Sequence, residues 1–111
     1  MQLEHPLSQV VFIHDYIQLI FQSATFTIYN SCTIEFNAES VAQGSEGFAD
    51  QLVQQIGRRA QAQSLRGEHA LILLFEGDVA LKVKRRDEEN PGPEAYEAHT
   101  DGGDIIMELN E

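Results

Sequence analysis

The chain predicts an α+β domain: a mostly antiparallel, curved sheet of five to seven strands packed on one long helix over about residues 48–66. Three observations lead there. Residues 10–36 are rich in β-branched and aromatic types and alternate with period two. Residues 48–66 change to a helical period. Residues 69–109 return to short apolar runs separated by turn residues. Runs of strands around one segregated helix indicate α+β architecture, here in the order β-meander, helix, β-meander. The 111 residues amount to a single domain spanning 1–111, with no internal repeat.

Within the first run, His14-Asp15 predicts a tight turn between two strands. Beyond it, Ile17, Leu19 and Phe21 face a core, while Gln18 and Gln22 face out. Ser23-Ala24 reads as a short turn, followed by Thr25–Asn30 with Phe26 and Ile28 on one face. Asn30-Ser31 interrupts, and Cys32–Phe36 resumes the alternation with Ile34 and Phe36 together. Asparagine, serine and glycine across 37–47 predict a loop.

Phe48, Leu52, Ile56 and Ala60 recur at i+4, with Ala49 and Val53 beside them. Asp50 near the start and the arginines near the end suit the helix dipole. Ser45 is a candidate N-cap and Gly67 a candidate C′ residue. Gly57 would then lie mid-helix, at a cost of about 1 kcal/mol relative to alanine.

Residues 69–76 are apolar on both faces, the pattern of a central strand or of one that meets a partner. Gly77-Asp78 signals a two-residue hairpin. Val79, Leu81 and Val83 then alternate with Ala80, Lys82 and Lys84. Two prolines, a glycine and three acids make 87–93 a loop. Residues 94–99 read as a short strand or a helical turn, Thr100–Asp104 as a turn, and Ile105–Leu109 as the last strand.

Charge is unevenly distributed. The formal net charge is −11. Residues 1–57 hold six acids and no base, 58–86 hold all seven bases against three acids, and 87–111 hold nine acids and no base. Such a chain repels phosphate and lacks the basic footprint of a nucleic-acid binder. It attracts basic partners. No apolar run approaches the ~20 residues of a membrane span. Met1–Pro6 lacks the features of a signal peptide, and the single cysteine, Cys32, fits a reducing cytoplasm.

Motifs for chemistry are absent. His5, His14, His69 and His99 fall in no metal-ligand spacing, although His69 and His99 belong to neighbouring strand candidates and could meet. His14-Asp15 has no nucleophile elbow to serve. Gly44–Gly47 lacks the lysine and hydroxyl residue of a phosphate loop, and Asp101–Asp104 lacks the EF-hand pattern. Lys82, Lys84 and Arg86 share one strand face, which reads as a solvated ladder that discourages edge aggregation. No catalytic, cofactor or metal residue is assigned.

Pro91-Gly92-Pro93-Glu94-Ala95, between an alternating strand and an acidic final strand, resembles small, uncharacterised bacterial α+β proteins of immunity-like type. The likeness covers residues 79–109. It implies a cytoplasmic, non-enzymatic protein that binds a partner protein, and it identifies no catalytic residue. Charge and likeness together predict a non-catalytic interaction module. Asp87, Glu88, Glu89, Glu94, Glu97, Asp101 and Asp104 would face a basic protein partner, for example a toxin nuclease. Two alternatives remain. One is a homo-oligomer, a homodimer in the simplest case, pairing through Leu71–Phe75. The other is a ligand-binding domain or small enzyme using Tyr16, Tyr29, His69 or His99 in the space between helix and sheet.

Overall fold

The computed structural model describes residues 2–64, 69–85, 94–100 and 105–109, the last segment by its backbone. The strands are β1 (Leu7–Ile13), β2 (Tyr16–Phe21), β3 (Ala24–Ile28), β4 (Cys32–Phe36) and β5 (Glu39–Ala42), then a short helix α1 (Phe48–Val53). They continue with β6 (Ala60–Ser64), β7 (His69–Phe75), β8 (Val79–Lys84), β9 (Glu94–Thr100) and β10 (Ile105–Leu109). Two five-stranded antiparallel sheets result. The first has the order β1-β2-β3-β9-β10 and the second β5-β4-β8-β7-β6.

This corrects the expectation of an α+β sheet of five to seven strands on a long helix. The protein is mostly β, and its core lies between two sheets. The helical period over 48–66 holds only for the first turn, where Phe48 and Leu52 are buried. Gly57 has φ +93°, a left-handed backbone that ends the helical turns. Val53 and Ile56, assigned to the buried side of a helix, are 47% and 44% exposed. Ala60 and Ala62 are buried while Gln61 and Gln63 are exposed, the alternation of a strand. Small residues and glutamines carry little β-propensity, so this strand is set by its partner: β6 supplies the backbone bonds that complete the edge of β7.

The 37–47 loop also holds more order than expected. Asn37 and Ala38 take positive φ (49° and 62°) and close the β4–β5 hairpin between Phe36 and Glu39. The N-cap of α1 is Gly47, not Ser45, whose carbonyl accepts the Phe48 N–H. Gly67 lies outside the described residues. The turn after β2 falls on Gln22-Ser23, so that Ala24 already pairs with Phe21. The hairpin at His14-Asp15 forms as expected, closed by Ile13 and Tyr16. A hairpin also forms at Gly77-Asp78, both at positive φ, but Phe75 pairs with Val79, so its loop is the three residues Glu76, Gly77 and Asp78 rather than the two expected. Residues 94–99 are strand.

Ile17, Leu19, Phe21, Phe26, Ile28, Tyr96 and Ala98 of the first sheet face Ile34, Leu71, Leu73, Phe75, Leu81 and Val83 of the second, all buried. α1 packs against β1 and β4 and puts Phe48 and Leu52 into this core. Two devices tie the sheets together. At the N-terminus, Leu3 N–H donates to Ala60 O at 3.1 Å, Leu7 N–H to Arg58 O at 2.9 Å and Gly57 N–H to Leu7 O at 2.8 Å. This segment covers the β6 edge before entering β1, and Gln2 bridges Gln61. Where β3 leaves the first sheet for β4, buried Asn30 donates through Nδ2 to Lys84 O at 2.8 Å and Arg85 O at 3.2 Å. Asn30 thereby joins that crossing to the end of β8.

Candidate functional site

Of the seven acids expected to form one surface, Asp87, Glu88, Glu89, Asp101 and Asp104 lie outside the described residues, as does the side chain of Glu94 at the start of β9. In sequence, Asp87, Glu88 and Glu89 precede β9, and Asp101 and Asp104 follow it.

Glu97 is well placed to be read. It pairs with Thr27 in the β3–β9 register, on the face of the first sheet turned away from the core. Thr27 in turn pairs with Gln18, and Gln18 with Val11. Gln18 Nε2 donates to Thr27 Oγ1 at 3.3 Å. Glu97 Oε2 lies 3.4 Å from His99 Nε2, with side chains 23% and 48% exposed. On the same face the Tyr16 and Tyr29 rings meet edge to face, centroids 6.0 Å apart. This outward face is a polar and aromatic platform with one carboxylate at the described end of its central row. The sequence reading named both tyrosines as pocket groups between helix and sheet. They belong to the outer face because the alternation of β2 and β3 that buries Ile17 and Ile28 turns Tyr16 and Tyr29 outward. That signal was present in the sequence. What the sequence does not display is the β3–β9 pairing that brings Glu97 beside Thr27.

The first sheet also differs from the second in charge. Its five strands contain no lysine or arginine. The second sheet contains Lys82 and Lys84, and of the other described bases Arg58 and Arg59 precede β6 and Arg85 follows β8. Lys82 Nζ is 2.9 Å from Glu35 Oε2, so the basic ladder is partly neutralised within its own sheet. Arg86 lies outside the described residues. Leu74 of β7 is 39% exposed and Ile72 half-buried on the outer face of this sheet.

The histidines do not gather. His14 is exposed at the β1–β2 tip, 3.8 Å from Asp15. His69 begins β7 opposite Lys84, in a different sheet from His99. His5 is half-buried in the N-terminal segment, with Nδ1 buried and unpartnered among the described residues. Cys32 is buried in β4, its Sγ 3.4 Å from Gln43 Oε1, in the sheet opposite to the His14 hairpin. No group of three His, Cys, Asp or Glu that could hold a metal occurs among the described residues. No described helix is long and apolar enough to cross a membrane.

A depression of about 340 Å³ lies where the N-terminal segment meets the β6–β7 edge, lined by Gln2, Arg59, Gln61, Leu74 and Glu76 among others. Glu76 and the Arg59 backbone are engaged in structure there. Glu76 Oε1 accepts the Arg59 N–H at 2.6 Å, and Glu76 N–H donates to Arg59 O at 3.0 Å. Comparison with protein-family models, with curated proteins and with solved structures finds no match to this chain.

Proposed function

We propose that the protein is a non-catalytic binding module that presents the base-free first sheet and its flanking acidic runs to a basic protein partner. The observation that carries this reading is the segregation of charge by sheet. Five strands drawn from both ends of the chain assemble into one sheet without a single lysine or arginine, while Lys82 and Lys84 lie in a strand of the other sheet. Such a field steers encounter with a basic surface and rejects acidic ones. An immunity-type inhibitor that covers the basic cleft of a toxin nuclease is one specific form of it. The single cysteine fits residence in the cytoplasm.

The test is capture by the tagged protein from extract of its own cells, at low and high salt. It is repeated with a variant carrying Asp87→Asn, Glu88→Gln, Glu89→Gln and Glu97→Gln. The expected result is a basic protein held at low salt, released at high salt and lost with the variant. Binding that ignores salt and survives neutralisation overturns the reading.

A further inference from the structure

The edge of the first sheet at β1 is open over part of its length. At Leu7 both backbone groups are taken, by Arg58 O and Gly57 N–H. The register then shifts between Leu7 and Gln9, and from Gln9 to Ile13 the strand pairs on one side only, with β2. The closing pair of a two-residue hairpin is a bonded pair, and bonded and non-bonded pairs alternate along an antiparallel ladder. Ile13 and Val11 therefore direct their N–H and C=O groups to β2, whereas Val10 and Phe12 direct theirs outward. Among the described residues no backbone group meets them. The same stretch bears Phe12 and Ile13, 46% and 45% exposed.

Charge decides what would lie there. Residues 7–13 contain no charged side chain, but Glu4 precedes them and Asp15, 82% exposed, follows. The sheet behind them has no base. A second copy laid antiparallel along this edge would bring the Asp15 end of each strand toward the Glu4 end of the other, and would add two molecules of charge −11. An extended segment with an apolar centre and basic ends meets attraction at the same places.

We propose that β1 is a strand-addition site: an extended segment of the basic partner, apolar in the middle and carrying Lys or Arg at its ends, pairs with Val10 and Phe12 as a sixth strand of the first sheet. This rests on the reading of a basic partner given above. Main-chain bonds supply the affinity of such pairing, and alternate side chains and end charges supply its specificity.

The experiment uses the full chain, labelled with ¹⁵N, and two synthetic peptides of alternating valine and threonine, one ended with arginines and one with glutamates. The arginine-ended peptide is expected to shift the amides of residues 8–13. Slowed exchange is expected at Val10 and Phe12. The glutamate-ended peptide is expected to bind roughly tenfold more weakly at low salt, a difference that shrinks as salt rises. Phe12→Pro removes one outward N–H without touching the β2 ladder, and it is expected to abolish the effect while the β2 and β3 amides keep their positions. Shifts confined to β9 would overturn the edge site and leave the acidic-sheet reading standing. Equal binding of both peptides at residues 8–13 would overturn the basic occupant and the charge reading with it. Concentration-dependent protection of Val10 and Phe12 without peptide would show that a second copy fills the edge and overturn the proposal. No shift with either peptide would also overturn it.

Discussion

Phe21 of β2 and Phe75 of β7 stack across the interior, ring centroids 6.4 Å apart and planes 18° from parallel. One ring comes from each sheet, so this contact lies at the junction of the two layers. Phe21 also meets Phe26 edge to face at 6.0 Å. Phe21 is 1% exposed and Phe75 4%.

The first prediction concerns this stack. Phe21→Ala leaves a cavity against Phe75 and Phe26 and removes a large apolar side chain from the core. The expected loss is about 3–5 kcal/mol, read by denaturant unfolding. Because the two sheets share this core, both should unfold in one transition. Two separated transitions, or a loss below about 1 kcal/mol, would contradict a core shared between the sheets.

Gly57 distinguishes the observed fold from the expected one by the sign of an effect. In the middle of a helix, Gly57→Ala would stabilise by about 1 kcal/mol. At φ +93° the added Cβ has no neighbour within 4 Å, but the backbone itself is strained for an L residue. The expected result is a destabilisation of about 1–2 kcal/mol, measured by the shift of the urea midpoint at unchanged slope.

This contrast shows where the sequence was legible. The alternation of Ile17–Leu19–Phe21, Phe26–Ile28 and Leu71–Leu73–Phe75 is a local consequence of a strand with one buried face. Each of these sets emerges from its own few residues. The alternation Ala60-Gln61-Ala62-Gln63 is too weakly apolar to announce a strand, and Ala60 also falls at i+4 from Ile56. Only the neighbouring β7 edge decides between the two periods. The placing of Glu97 beside Thr27 depends on a pairing between strands nearly seventy residues apart in sequence, which no local pattern encodes. The distribution of charge along the chain was legible, whereas its sorting into two sheets follows from topology.

Asn30 carries the third prediction. Its buried Nδ2 donates to Lys84 O and Arg85 O where the chain changes sheet. Asn30→Ala withdraws that donor from two carbonyls and should cost about 1–3 kcal/mol. Asn30→Asp keeps the shape but turns an acceptor toward them, so it should cost more than alanine at neutral pH. Thermal or denaturant unfolding gives the order. An aspartate variant as stable as the native protein would show that these bonds do not hold the crossing.

Lys82 and Glu35 carry the last. They meet at 2.9 Å on the outer face of the second sheet, with side chains 27% and 41% exposed. Partial exposure means that solvent screens the pair, so a double-mutant cycle with Lys82→Met and Glu35→Gln should give a coupling of about 0.2–1 kcal/mol, diminishing with added salt. The pair does more for the charge of that face than for stability. Breaking it with Glu35→Gln uncovers the lysine beside Lys84 and leaves the second sheet more basic. If the native face is a solvated ladder rather than a phosphate grip, neither the native protein nor the Lys82→Met variant should be retained on immobilised duplex DNA at low salt. Retention of the native protein that Lys82→Met abolishes would instead assign that strand an anionic ligand.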